Sequence, residues 1–182
     1  SGTTGVPKGV MLSHGAWVYV AESIDAMEIL SPVDTHYLFL PLSHVFAKVL
    51  QVILIRLGLP TVVDSDTNNL LSHLAETRPS IMAAVPSVFE NVYKRLLQES
   101  QSGGTSQARL FNWAIEIGRE VSRHKQQGTR IPRRLRLKWQ VADRFVFRTV
   151  RNLFGGRIRF FISGGAPLSK DIAEFFHACG LL

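Results

Sequence analysis

Apolar positions along the chain fall into two kinds of stretch. Residues 37–40, 61–63, 81–85 and 158–162 are short runs, nearly all apolar and rich in β-branched or aromatic residues, as buried strands are. Between them, apolar residues recur three and four apart, the spacing of one helix face. Ser13 stands where a side chain caps a helix whose buried face is Trp17, Val20, Ala21, Ile24 and Met27, closed by Ser31-Pro32. Residues 45–57 are apolar almost all round, which predicts a helix buried on most sides. Asp66 or Thr67 caps the next, with Leu70, Leu71 and Leu74 inward. Ser87 and Glu90 have the spacing of a capping box, ahead of a face made by Phe89, Val92, Tyr93, Leu96 and Leu97. Residues 100–106, with Gly103-Gly104, read as a flexible loop. Two long amphipathic helices follow, the first turning in Leu110, Ala114, Ile117 and Val121, the second Leu135, Ala142, Phe145, Val146 and Val150. Ser169 caps a last helix with Ile172, Phe175, Phe176 and Cys179 inward. Strands alternating with helices predict an α/β fold, a parallel βαβ-type sheet with crossover helices, to which the two long helices are added.

Composition narrows the class. A chain of 182 residues with 46% hydrophobic content can bury one ordinary core. No run of 18 apolar residues occurs, and the first residues show no signal-peptide pattern. The single cysteine, Cys179, excludes an internal disulfide and suits a reducing, cytoplasmic compartment. Its apolar helical setting reads as a buried, inert thiol, and no His/Cys group has zinc spacing. The net charge of +7 is uneven: residues 119–159 hold thirteen Lys/Arg against Glu120 and Asp143, a local +11. Such a segment is a solvated helical face or a patch for an anionic membrane or nucleic acid. No nucleic-acid motif accompanies it.

The chemistry concentrates at the start, in Ser1-Gly2-Thr3-Thr4-Gly5-Val6-Pro7-Lys8-Gly9-Val10. Glycines allow close backbone approach, successive N–H groups form an anion-binding nest, hydroxyls add donors, and Lys8 adds a point charge. Taken alone, the stretch is equally a Gly/Thr-rich surface turn. It is not the G-x-x-x-x-G-K-[ST] loop, since Pro7 precedes Lys8 and Gly9 follows it. It resembles instead, at every position, the S-G-[ST]-T-G-x-P-K-G-V phosphate loop of the adenylate-forming superfamily. Three further segments keep that family's order. Pro41-Leu42-Ser43-His44-Val45-Phe46 is similar to its P-L-x-H-x-[FY] segment. Val85-Pro86-Ser87-Val88-Phe89-Glu90 looks like the V-P-x-[VL]-F-E segment of long-chain acyl-CoA synthetases, where its role is packing. Ser163-Gly164-Gly165-Ala166-Pro167-Leu168 resembles the family's S-G-[GA]-A-P-L loop.

The resemblance implies a partial AMP-binding domain over residues 1–182, an internal piece of the family's large N-terminal domain, without its C-terminal domain. It implies that Ser1, Gly2, Thr3, Thr4, Gly5 and Lys8 hold the outer phosphates of ATP, and that Gly164, Gly165 and Ala166 frame adenine. His44, which by itself also reads as a core histidine, and Phe46 would border the acyl substrate, with His44 in the catalytic set. The substrates and cofactors implied are ATP, Mg²⁺, CoA and a fatty acid, the two long helices favouring the long-chain branch. The fatty carboxylate would attack the α-phosphate to give acyl-AMP, and CoA would displace AMP. Alternatives are a ligase for another carboxylic acid, a basic nucleic-acid-binding module, or a non-catalytic interaction module. The family's later motifs, its Mg²⁺-binding glutamate and its catalytic lysine are expected beyond Leu182. These residues alone are therefore expected to be inactive, with a sheet edge and the helix face around Phe175 and Phe176 uncovered. The basic segment is expected to give a peripheral contact with an anionic membrane.

Overall fold

The computed structural model describes residues 9–182. Four short parallel strands, β1 (His36–Leu38), β2 (Thr61–Val63), β3 (Ile81–Ala84) and β4 (Phe160–Ser163), form one sheet in the order β2-β1-β3-β4. Helix α1 is His14–Asp25, and α2 (Val45–Leu57) carries the chain from β1 to β2. Helix α3 (Leu70–Thr77) then returns it past β1 to β3. Beyond β3 come α4 (Pro86–Ser102), α5 (Thr105–Gln126), α6 (Arg133–Ala142), a π-helical turn Asp143–Phe147 and α7 (Arg148–Leu153). Helix α8 (Lys170–Ala178) follows β4. This is the expected α/β architecture with crossover helices.

The strand alternation divides the core between two faces. Leu38 and Ala83 point to one face, where Leu50 and Leu54 of α2 cover them. Tyr37, Met82 and Ala84 point to the other, under Leu70 and Leu74 of α3 and the residues of α4, α5 and α8. In the order β2-β1-β3-β4, successive strands are laid down first to one side of β1 and then to the other, and the crevice outside the carboxyl ends of β1 and β3, at this switch point, is where open α/β sheets bind ligands.

Ser13 caps α1 as its position predicts, its Oγ accepting the Ala16 N–H at 3.2 Å. Only Ala21 of the expected α1 face is fully buried; Met27 lies past the last helical turn and is 60% exposed. The capping box does not form. Pro86 takes the first helical position, where its fixed φ and missing N–H cost nothing, and Ser87 falls inside the helix. Neither Asp66 nor Thr67 caps α3: Asp66 accepts the N–H groups of Asn68 and Asn69 in the turn before it. The loop expected over 100–106 shrinks to Gly103-Gly104, since α4 and α5 extend to either side. Phe145 is 61% exposed because the π-helical turn adds a residue to the phase, so that Phe147 turns inward in its place. Leu110 likewise lies outward while Phe111 is buried. Phe175 and Phe176 are covered, not open: edge-on contacts with Tyr93, Phe89 and Phe154 enclose them. Cys179 is buried, and burial pushes its thiol up to about 12.

Candidate functional site

Two loops meet at the carboxyl edge of the sheet. After β1 the chain turns through Pro41, whose carbonyl accepts the His44 N–H at 3.0 Å. His44 is the extended N-cap of α2, with an exposed imidazole that makes no capping bond. Phe46, in the first turn of α2, is half-buried. After β4, the Gly164 N–H donates to the Ala84 carbonyl at 3.3 Å and prolongs the ladder to β3 by one rung. A Cβ on Gly164 would lie 2.7 Å from Phe46 Cζ and 2.8 Å from Cε2, so the ring rests directly on the glycine. Gly165 adopts φ +86°, and a Cβ there would touch Val85 Cγ1 at 3.6 Å. The loop is thus held between the start of α2 and the end of β3, leaving Gly165 and Ala166 exposed. A backbone without side chains, facing solvent at a strand's carboxyl end, suits a flat ring that needs close approach.

Behind Phe46 lies a cavity of about 290 Å³, enclosed by α1, α2 and the sheet. Its walls include Ile24, Met27, Leu50, Ile53 and Ile162, and Phe46 is shared between the cavity and the glycine loop. One lining residue, His36, has a polar ring. Nothing local in the sequence singles it out; its place two residues before Leu38 fixes its face but not its surroundings.

Side-chain networks hold both ends of the sheet. At the carboxyl end, Asp64 accepts from the Tyr37 hydroxyl, the Asp66 N–H at 2.8 Å and His73 Nδ1 at 2.7 Å. Led by the Tyr37 bond, these hold the Asp64 carboxyl down at about 2, while the bond to Asp64 raises the His73 pKa. At the amino end, Asp34 is 1% exposed and binds Ser80 Oγ at 2.6 Å, the Ser31 N–H at 2.8 Å and the Arg159 guanidinium. Burial pushes its pKa up, but the bonds from Ser80, Arg159 and Ser31 outweigh it and leave the carboxyl below its ordinary value. Arg159, itself half exposed, and Arg151, which pairs with Asp143 at 2.6 Å, are therefore tied to structural carboxylates within the basic segment.

The structure brings Phe46 and the Gly164–Ala166 loop together and sets His44 beside them on the same edge. Ser1, Gly2, Thr3, Thr4, Gly5 and Lys8 lie outside the described residues. Among the described residues no group of three His, Cys, Asp or Glu side chains makes a metal cage, so none is assigned to Mg²⁺. Nor, among them, is any helix long and apolar enough to cross a membrane.

Residues 1–181 match the AMP-binding enzyme family. A peroxisomal long chain acyl-CoA synthetase 6 of Arabidopsis thaliana is 32% identical over 98% of this chain, which covers 24% of that protein. The long-chain-fatty-acid–CoA ligase FadD15 of Mycobacterium tuberculosis is 34% identical over 100% of this chain, covering 30% of its own length. The chain thus spans less than a third of these curated relatives. In fold it is similar to the A domain of a carboxylic acid reductase from Segniliparus rugosus, solved with AMP and a co-purified carboxylic acid. The TM-score is 0.56 with 19% identity, over 91% of this chain and 22% of that one.

Proposed function

The chain belongs to the AMP-binding enzyme family, and from that membership we propose that the complete protein carrying it activates a long-chain fatty acid with ATP and passes the acyl group to CoA. One observation carries the choice of acid: Phe46 closes an apolar cavity on one side and rests on Gly164 on the other. An acyl chain in that cavity brings its carboxylate out beside the glycine loop. Burial of a chain there contributes about 0.8 kcal/mol per methylene, and an amino or aryl acid would leave much of that unclaimed.

In this reading Gly164, Gly165 and Ala166 lie along adenine and fix the nucleotide's register. Phe46 separates the acyl chain from the base, and His44 borders the reacting carboxylate. Ser1, Gly2, Thr3, Thr4, Gly5 and Lys8 hold the outer phosphates. The carboxylate attacks the α-phosphate, pyrophosphate leaves, and CoA thiol then displaces AMP. Such chemistry rests on positioning and charge neutralisation, to which Mg²⁺ adds charge on the phosphates when bound.

Fatty-acid-dependent ATP–pyrophosphate exchange by the complete protein tests this. Exchange should require a long-chain acid, and Lys8→Ala should lower kcat/KM for ATP by about 1.5–3 kcal/mol while melting is unchanged. Exchange driven equally by amino or aryl acids, or untouched by Lys8→Ala, would overturn it.

A partner surface belongs to the same reading. Leu137, Val141 and Phe145 are 63%, 48% and 61% exposed at four-residue spacing. Exposed Arg133, Arg134, Arg136, Lys138, Arg144 and Arg148 surround them. An apolar stripe among cations suits an anionic lipid surface, from which a fatty acid would be drawn.

A further inference from the structure

Between the last two turns of α5 and helix α6 lies a cavity of about 210 Å³. Its apolar part is Val121, which is buried, with Ile131 of the joining loop and Trp139, both half-buried. Lys125, Arg136 and Gln140, all exposed, complete the lining. Long cationic side chains lay their methylene stems along apolar surface and keep the charge at the water edge. The Lys125 ammonium stands 5.6 Å from the centre of the Trp139 ring, within range of cation–π attraction. No carboxylate lines the cavity. Among the described residues, neither Lys125 nor Arg136 belongs to an ion pair, whereas Arg151 and Arg159 of the same basic segment are each tied to a carboxylate. The cavity thus combines a small apolar interior with two uncompensated cations, which fits an amphiphile with an anionic head.

Position on α6 says what reaches it. Successive residues of an α-helix lie about 100° apart. Arg136 and Gln140 directly precede Leu137 and Val141, the first two members of the exposed apolar stripe. The cavity therefore opens about a quarter turn from the stripe. With the stripe sunk into a bilayer, that side of the helix meets the headgroups, the level at which tryptophan rings gather. We propose that this cavity holds the headgroup of one anionic phospholipid, its phosphate at Lys125 and Arg136 and its glycerol carbons against Trp139 and Ile131. Ammonium and guanidinium groups are donors only, so they suit a phosphomonoester, which offers three acceptor oxygens and a charge near −2. A choline headgroup would set a third cation beside the two, and a free phosphate would leave the apolar interior wet. This inference rests on the reading of α6 as a lipid-facing surface and names the headgroup which that surface takes.

The test is calorimetric titration of the complete protein with dihexanoyl phosphatidic acid, below its micelle concentration and at about 0.15 M salt, where distant surface charges are screened. One molecule should bind saturably, with a Kd at least about tenfold below those of dihexanoyl phosphatidylcholine and glycerol 3-phosphate, since each lacks half of what the cavity offers. Lys125→Ala combined with Arg136→Ala should raise that Kd by at least about tenfold. Arg134→Ala combined with Lys138→Ala removes two charges outside the cavity and should leave it within about twofold. All four side chains are exposed, so both double variants keep the fold. Equal losses in the two double variants would mean diffuse attraction, and no loss in the first would place the lipid elsewhere; either overturns the proposal. Equal affinity for glycerol 3-phosphate would make this a free-phosphate site and overturns it too. Preference for anionic vesicles without short-chain binding sinks this inference alone; absence of both sinks the reading of the surface as well.

Discussion

The two faces of the sheet are built to different ends. On one, Phe89, Phe154, Phe161, Phe175 and Phe176 meet edge-on at centroid distances of 5.0–6.0 Å. On the other, α1 and α2 lie over a cavity, with His36 in its wall, whose ring nitrogens have no partner among the described residues. The same four strands thus carry a face knitted by aromatic pairs, with a space of about 420 Å³ beside Phe89, Phe161 and Phe176, and a face with an apolar cavity of about 290 Å³ enclosed under α1 and α2. Aromatic pairs of the first kind add about 0.5–1.5 kcal/mol each beyond their buried area. Lining atoms of an open cavity forgo such contacts.

The sharpest way to break this contrast is truncation on each side. Phe176→Ala should cost about 3–5 kcal/mol in chemical denaturation, and Ile53→Ala, on the cavity side, nearer about 2 kcal/mol because fewer contacts are lost. Equal losses would mean that the faces are packed alike. At the edge where the faces meet, Gly164→Ala must push the Phe46 ring aside and should cost about 1–3 kcal/mol. It should also raise KM for ATP; a normal KM with lowered stability would make Gly164 a packing residue only.

The Asp64–His73 pair, bonded to Tyr37 of the aromatic face, should show in the pH response. The folded Asp64 pKa, about 2, is depressed, so its contribution is present above the ordinary value of 3.8 and is lost as pH falls toward 2. His73 is raised, so its contribution is full below 6.5 and is lost as pH climbs through the raised value. Melting across pH should therefore decline on the alkaline side of 6.5, and His73→Ala should remove that decline. A profile that His73→Ala leaves unchanged would show the pair to be idle. Smallest is the outer surface: each basic residue of α6 near an anionic bilayer should add about 1 kcal/mol. Sedimentation of the complete protein with anionic vesicles should exceed that with neutral ones, and equal binding to both would leave α6 a solvated face.

Local pattern made much of this fold legible. Short apolar runs marked all four strands to within two residues, and the Ser163–Leu168 motif marked the loop that Phe46 packs against. What escaped depends on contacts distant in sequence. The π-helical turn, which exchanges Phe145 for Phe147, leaves no signature in a 3.6-residue period. The cover over Phe175 and Phe176 comes from Phe89 and Tyr93 of α4, more than eighty residues upstream, and from Phe154 at the end of α7 and Phe161 of β4, about twenty and fifteen residues upstream. His36 carries no local signal, because a histidine before a strand looks like a solvated end; only the docking of α1 and α2 encloses it.

The most direct test of the difference between the faces is the chain-length profile of the complete protein with the cavity filled. Ile53 lines the cavity and is 6% exposed. With Ile53→Trp, kcat/KM across saturated acids should peak at a shorter chain than in the unaltered protein, with KM for ATP unchanged, since the nucleotide edge is untouched. A folded Ile53→Trp protein with the original chain-length optimum would contradict the assignment of the α1–α2 face to the acyl chain.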